Sequence, residues 1–358
     1  MIETRRDVLI LPYRKAWVGG PDHAQVPKHG RVRRGKGKEP IDSFPSPEEY
    51  ENISEQRRGR YLYGGPLKIH FGHVLVDSII RLWAFDPQRH DGVVFAYLKG
   101  REQAVPDWFY DIVSIFGLER HHIVIVSEPM VFEQLEFAEP GSILKSGPAD
   151  WYMPHLEKLP IKRVNHTPRN VYYGRTHLIQ KGTLMGESYF ADLLTGNGFE
   201  YVRPEEFDIH HQVSIIQNAE RIVFAEGSSI YPIELTAKIR GKIFMIPRRA
   251  NGVDIFTPHI FPRAEFHVLA SRDSIFRMAS RSGKKRPNSP TYTLRPIEIH
   301  NAMVDLGLVP RRKFDADAFE IAERRDATAY FGGLGNELEK QLAYVKKRRA
   351  RLRRIPHI

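Results

Sequence analysis

Arg221-Ile222-Val223-Phe224-Ala225-Glu226-Gly227-Ser228-Ser229 reads as a buried strand that runs into a turn of small residues. Its apolar residues are consecutive rather than alternating, which suits a strand covered on both faces of a parallel sheet. Tyr231–Lys238 reads as the helix that follows. A strand, a Gly/Ser turn and a helix start present free backbone N–H groups and the positive end of the helix dipole, a ready anion site. Ser228 or Ser229 can equally be a plain helix cap. The turn is not a P-loop, because no Gly-Lys-Ser/Thr follows.

Working outward, the same alternation recurs. Val171–Tyr173, Phe199–Val202 and Lys242–Ile246 read as strands, and Ser188–Thr195 and Ile209–Ala219 as helices, the first of them closed by Gly196 and Gly198. The N-terminal half repeats the architecture without repeating residues. Val8–Tyr13, Tyr61–Gly65, Gly92–Leu98 and His122–Val126 are expected strands; His70–Phe85 and Asp107–Gly117 are expected helices. Leu159–Arg169, with two prolines and four basic residues, reads as a linker, and Ser280–Pro290 as a break before helices at Ile297–Leu306, Ala316–Ala329 and Glu337–Arg354. The expected fold class is α/β, with a mainly parallel sheet in each half and ligands beyond the carboxyl ends of the strands, in a cleft between two Rossmann-like domains. Expected divisions are residues 1–160, 170–280 and a C-terminal helical part at 290–358.

Composition narrows the chemistry. The chain has 358 residues, long enough for two domains, and no cysteine, which removes disulfides, thiolate metal sites and thiol nucleophiles. No apolar run has the form of a signal peptide or a membrane span, so a cytoplasmic place of action is expected. The net charge is +11, and seven of the basic residues lie between Lys346 and Arg354, with no acid after Glu339. Six more Lys or Arg lie between Lys28 and Lys38 among three glycines, a loop-like composition. Such clusters attract anionic lipid, nucleic acid or acidic glycan, or simply keep a helix end soluble.

Two constellations carry candidate chemistry. In the expected helix, His70, His73, Asp77 and Arg81 fall within a stripe of roughly 80° among apolar neighbours. His73 and Asp77 are four residues apart, as are Asp77 and Arg81, so each pair can touch. A histidine oriented by a carboxylate is a candidate general base for a hydroxyl group, with Asp77 itself as the alternative base and an ordinary solvated face as the bland reading. In the second half, at the end of the expected strand Val171–Tyr173, Arg175 can hold a pyrophosphate bidentately, with Lys181 as a point charge. Glu226 or Glu234 is a candidate for ribose hydroxyls; Glu234 can also pair with Lys238. Metal ligation is not expected: His121-His122 and His210-His211 lack ligand spacing, and Asp315-Ala316-Asp317 reads as a helix start.

These residues resemble glycosyltransferase family 61 in its bacterial, capsule and exopolysaccharide branch. One block is Gly64-Gly65, then His70-Phe71-Gly72-His73-Val74-Leu75-Val76-Asp77-Ser78 and Arg81-Leu82-Trp83; the other runs through Arg175, Gly198-Phe199-Glu200, Pro204-Glu205, Gln212, Ala219-Glu220 and Glu226-Gly227-Ser228. Together they span about residues 60 to 250. The resemblance implies a GT-B arrangement with an N-terminal acceptor side and a C-terminal donor side. It implies inversion without an essential metal or cofactor, a nucleotide-sugar donor (UDP-linked) and a glycan or lipid-linked acceptor in surface-polysaccharide assembly. His73 and Asp77 would be catalytic, and Arg175 with Glu226, Gly227, Ser228 and Ser229 would face the donor. Many members carry His-Gly-Ala-Gly where this chain has Glu226-Gly227-Ser228-Ser229. The basic tail is expected to touch the anionic inner face of the membrane. The rival reading is a basic nucleic-acid- or polyanion-binding protein without transferase activity; against it, aromatics are not interleaved with the basic run and no nucleic-acid module is recognisable.

Overall fold

The computed structural model describes residues 1–14, 17–19, 53–97, 104–164, 167–280, 282–286, 288–332 and 335–352. The basic cluster at Lys28–Lys38 and the tail residues Arg353 and Arg354 lie outside them. The chain divides into two compact units. The first comprises Met1–Arg163 with Asp208–Val213 and Tyr231–Ala237; the second comprises Val164–Phe207, Ser214–Ile230 and Lys238–Ile358.

The first unit is built on a six-stranded sheet of β1 (Ile2–Arg14), β2 (Trp17–Gly19), β3 (Glu55–Leu67), β4 (Gly92–Tyr97), β5 (Ile123–Val126) and β6 (Met130–Ala138), in the order β2-β1-β6-β3-β4-β5. β6, β3, β4 and β5 are parallel, whereas β1 is antiparallel to β6, so this sheet is mixed rather than purely parallel. All six residues of β4 are buried, the signature of an inner strand. β6, absent from the sequence reading, pairs with both β1 and β3; its Glu133-Gln134 and Glu136 interrupt the apolar run and hide it. Glu136 is fully buried there and accepts hydrogen bonds from Arg89 (2.6 Å) and His90 (3.2 Å), which hold its pKa below the usual value against the cost of burial. Helices α1 (Asp107–Ser114) and α2 (Met153–Glu157) also lie in this unit. A small hairpin, β7 (Ser142–Ile143) and β8 (Gly147–Pro148), lies between them.

The second unit holds a five-stranded, wholly parallel sheet of β9 (Asn170–Tyr173), β10 (Glu200–Tyr201), β11 (Arg221–Ala225), β12 (Lys242–Ile246) and β13 (Phe266–Val268), in the order β10-β9-β11-β12-β13. Strand order therefore reverses between β9 and β11. In open parallel sheets this switch point, outside the carboxyl ends, is where ligands bind. Helices α3 (Glu187–Thr195), α4 (Ile209–Asn218), α5 (Gly252–Ile260), α6 (Pro296–Asp305), α7 (Ala316–Phe331) and α8 (Gly335–Leu352) follow in chain order. Phe190, Leu194, Val223, Phe244, Ile299, Met303 and Phe319 share one core, so α6 and α7 pack on this sheet. Asp315 caps α7 by accepting from Ala318 N–H at 2.9 Å, as expected of a helix-start acid. Strands β14 (Ile275–Arg277) and β15 (Thr291–Thr293) flank the 280–290 break.

Two expected helices are not α-helices. His70–Phe85 is one α-turn (Phe71–His73), a π-turn (Val74–Ser78) and a 3-10 turn (Leu82–Ala84). Tyr231–Lys238 is replaced by a 3-10 segment, Ser228–Leu235, which starts three residues earlier and contains Pro232. Among the described residues no helix is long and apolar enough to cross a membrane.

Candidate active site

In the first unit, β3 carries Gly64-Gly65 just before its carboxyl end at Leu67. A Cβ on Gly64 would stand 2.5 Å from the Phe95 ring; Gly65, at φ +110°, leaves room for the Arg81 guanidinium, 2.9 Å from where its Cβ would be. Ser78 Oγ donates to Pro66 O at 2.8 Å and ties the following turn to the strand end. That turn is π-helical: Ile79 N–H donates to Val74 O at 3.1 Å, five residues back. Such insertions recur at functional sites.

The π-turn leaves His73 and Asp77 in contact. His73 Nδ1 lies 2.8 Å from Asp77 Oδ2, and the pair is largely shielded from solvent. On the other side of the ring, Lys68 Nζ lies 2.9 Å from His73 Nε2. An ammonium has only protons to give, so Nε2 is the acceptor, and the ring proton sits on Nδ1 facing Asp77. His70 is exposed with its ring 5.1 Å from that of His73. Of His70, His73, Asp77 and Arg81 only His70 is exposed, and Arg81 is the most deeply buried. It is 3% exposed and reaches Asp77 through the main chain, Nη1 donating to Asp77 O at 3.4 Å. Burial pushes its pKa down to about 10, partly offset by Asp77 and Tyr63. Lys68 was missed in the sequence because it precedes the motif, at the foot of the strand; its signal is a cation immediately after an apolar strand end.

In the second unit, Arg175 and the Glu226-Gly227 turn follow β9 and β11, on either side of the switch point. Arg175 is 8% exposed; its Nη2 donates to Lys181 O at 3.4 Å, and its Nη1 lies 2.6 Å from where a Gly227 Cβ would stand. Gly227 therefore leaves space for the guanidinium. Lys181 contributes its carbonyl here, while its side chain is exposed. Beneath Arg175 lies Glu187, fully buried, which accepts from Arg175 N–H and from Tyr172 OH (2.9 Å). Burial outweighs these bonds and pushes the Glu187 carboxyl up to about 7.

Glu226 is completely buried and both its oxygens are engaged: Oε2 accepts from the N–H groups of Arg248 and Arg249, each at 2.7 Å, and Oε1 from the Arg249 guanidinium. It organises arginines rather than reaching outward to a ribose. Arg248 is 9% exposed, donates Nε–H to Glu226 O at 3.2 Å, and has its pKa lowered to about 10 by burial and by neighbouring Arg175, Arg249 and Arg277. The buried Arg175 Nε, Arg248 Nη1 and Arg277 Nε have no hydrogen-bond partner, and neither has the buried Ser229 Oγ. Ser228 and Gly227 lie in the same turn. Glu234 is buried on the 3-10 segment, at residues that belong to the first unit. Sequence reading missed Arg248, Arg249 and Arg277; a pair of arginines just past a buried parallel strand is the signal.

The remaining histidine pairs have structural roles. His122 Nδ1 accepts from Glu119 N–H at 3.0 Å in a capping turn, and His210 Nδ1 accepts from Lys162 N–H at 3.2 Å. Among the described residues no three His, Asp or Glu side chains gather as a metal site would require. Comparison with protein families matches residues 71–237 to the family described as Glycosyltransferase 61. No curated protein matches the chain. The match begins one residue after His70 and takes in His73, Asp77, Arg175 and the Glu226–Ser229 turn. Residues 71–237 are a glycosyltransferase family 61 domain, and the protein that carries it is a glycosyltransferase.

Proposed function

We propose that the protein is an inverting, metal-independent glycosyltransferase of GT-B type that moves a sugar from a nucleotide sugar, UDP-linked, to a glycan or lipid-linked acceptor in surface-polysaccharide synthesis. The observation that carries this reading is the pair of buried arginines, Arg175 and Arg248, that follow β9 and β12 of the second sheet, with Arg277 of β14 near Arg248. Arg175, Arg248 and Arg277 each hold a buried, partnerless N–H group, while Glu187, Glu226 and Glu205 offset the charge of Arg175 and Glu226 that of Arg248. Leaving such donors unpaired is costly, and a diphosphate supplies the oxygens that satisfy them. Fixed guanidinium groups stabilise the charge that develops on a departing nucleoside diphosphate, the part a metal plays in other transferases.

On the acceptor side, Asp77 holds the Nδ1–H of His73, and Nε2 takes the proton of the acceptor hydroxyl. The hydroxyl oxygen forms its bond to C1 of the donor sugar from the face opposite the diphosphate. The C1–O bond breaks with its electron pair going to the diphosphate, so the configuration at C1 inverts. Gly227, Ser228 and Ser229 are assigned to the phosphates and the sugar they carry. The basic face of α8, with Lys346, Lys347, Arg348 and Arg351 exposed, is assigned to a cytoplasmic, anionic membrane surface. Arg349 is not part of that face: its guanidinium forms a double hydrogen bond with buried Glu323 at 2.6 and 2.7 Å.

The test is thermal shift of the full chain against nucleoside diphosphates and nucleotide sugars in EDTA. A rise in melting temperature selective for one nucleotide supports the metal-free donor site. Response only to oligonucleotides or other polyanions replaces it with a binding protein.

A further inference from the structure

In the second unit the hairpin β14–β15 runs alongside α8. Gln341 Nε2 donates to Ala279 O at 3.0 Å, the Arg348 guanidinium stands 5.1 Å from the centre of the Phe276 ring, and Arg349 Nε donates to Thr293 O at 3.1 Å. The loop between the two strands carries Lys284, Lys285 and Arg286, all exposed, and no acid stands from Ser280 to Pro290. The loop is pinned. Lys284 O accepts from Ser280 N–H and Ser280 Oγ, each at 2.9 Å, and from Ser289 Oγ at 3.3 Å, while Ser289 Oγ accepts from Arg286 N–H at 2.8 Å. On α8, Lys340, Tyr344, Lys347, Arg348 and Arg351 are exposed and fall within one stripe of roughly 100°, bordered by Gln341 and so by the hairpin. The two acids of α8 are engaged: Glu337 accepts from Gln341 at 2.9 Å, and Glu339 from Arg324 at 2.5 and 3.1 Å.

We propose that this loop and this stripe form one docking surface for an anionic phospholipid bilayer, so that two packed elements carry the membrane footprint and not α8 alone. Charge complementarity is the argument. The loop supplies three exposed cations and the stripe four, beside acids that are already engaged. Each Lys or Arg held near an anionic bilayer adds about fivefold to binding, and a flat surface meets all of them at once. Tyr344, 48% exposed within the stripe, is the amphipathic side chain that settles at headgroup level. A nucleic-acid strand calls instead for successive aromatic platforms, and the neighbouring Phe276 ring lies under Arg348. The inference rests on the reading of α8 as a membrane-facing helix, and the two fail separately.

The chain has no cysteine, so a single one can be introduced and labelled. Ser282→Cys in the loop and Ala343→Cys next to Tyr344, both at exposed positions, each carry a polarity-sensitive fluorophore in the full chain. Vesicles of equal parts phosphatidylglycerol and phosphatidylcholine should shift both labels to the blue with the same midpoint, and vesicles of phosphatidylcholine alone should shift neither. The combined Lys284→Gln, Lys285→Gln and Arg286→Gln variant should bind the mixed vesicles about a hundredfold more weakly. Its Tm should not move, because main-chain and serine groups hold the loop. A shift at Ala343→Cys without one at Ser282→Cys, or unchanged affinity in the combined variant, overturns the inference and leaves the reading of α8 standing. Silence of both labels overturns both. A shift with phosphatidylcholine alone, or an equal response of both labels to a single-stranded oligonucleotide, also overturns the inference.

Discussion

The Glu226 carboxylate binds the main chain of Arg248, 22 residues further on, at 2.7 Å, and this bond holds the arginines that follow β12 against the turn that follows β11. Glu226 follows β11 and Arg248 follows β12, strands paired in parallel from Arg221↔Lys242 to Ala225↔Ile246. The bond joins the two loops at the carboxyl edge, where a second-sheet ligand would sit.

If these arginines hold the diphosphate, removing one weakens donor binding while the base is untouched. Arg175→Ala and Arg248→Met should each raise the Kd for the nucleoside diphosphate by about 10- to 100-fold, the worth of one hydrogen bond to a charged group. Calorimetry of the variants in EDTA measures it. Unchanged affinity in both would remove the cluster from the donor site.

Gly227→Ala tests the same place by shape. Its Cβ would stand 2.6 Å from Arg175 Nη1, the far end of a flexible side chain, so the protein should fold with its guanidinium displaced. The expected result is a near-normal melting temperature with donor affinity lowered as in Arg175→Ala. A large loss of stability would instead mean that the turn has no room to relax.

His73→Ala and Asp77→Asn should leave nucleotide binding intact and lower kcat by about 10²- to 10⁴-fold, the range of general-base catalysis. Asp77→Asn offers Nδ1 either a carbonyl oxygen or an amide, so the correct tautomer is no longer enforced. Initial rates together with nucleotide titrations separate this from a folding defect. Parallel loss of binding in both variants would contradict the division of roles.

Glu187 supplies a pH dependence with a defined sign. Its carboxyl titrates at about 7 in the fold, against an ordinary value of 4.5, because it is buried. The folded state therefore binds the proton more tightly, and its contribution to stability is present below pH 4.5 and lost as pH rises to about 7. The loss is about 3 kcal/mol at most. Glu187→Gln keeps an oxygen for Arg175 N–H and Tyr172 OH but cannot ionise. The melting temperature of the unmodified protein should fall more between pH 5 and pH 8 than that of the variant. Identical slopes would show that Glu187 does not titrate in this window.

The amino-acid sequence by itself determined what is local. Uninterrupted apolar runs mark β4, β11 and β12 as inner strands, because a strand buried on both faces has no polar side to show. His73 and Asp77 meet because four residues bring side chains to one side of a helical turn, and the contact survives the π-turn that replaces the expected α-helix. Arg175 and Gly227 are legible as strand-end residues for the same local reason. Only the tertiary structure decided the rest. Strand order set Glu226 against Arg248 and Arg249, and turned Glu226 from a candidate ligand of ribose into the anchor of a cationic site. Packing of β3 against the 71–85 segment put Lys68 on Nε2 of His73 and buried Arg81 behind it. Contacts within a turn follow from backbone period; contacts between strand ends follow from which strands lie side by side, and no spacing along the chain encodes that.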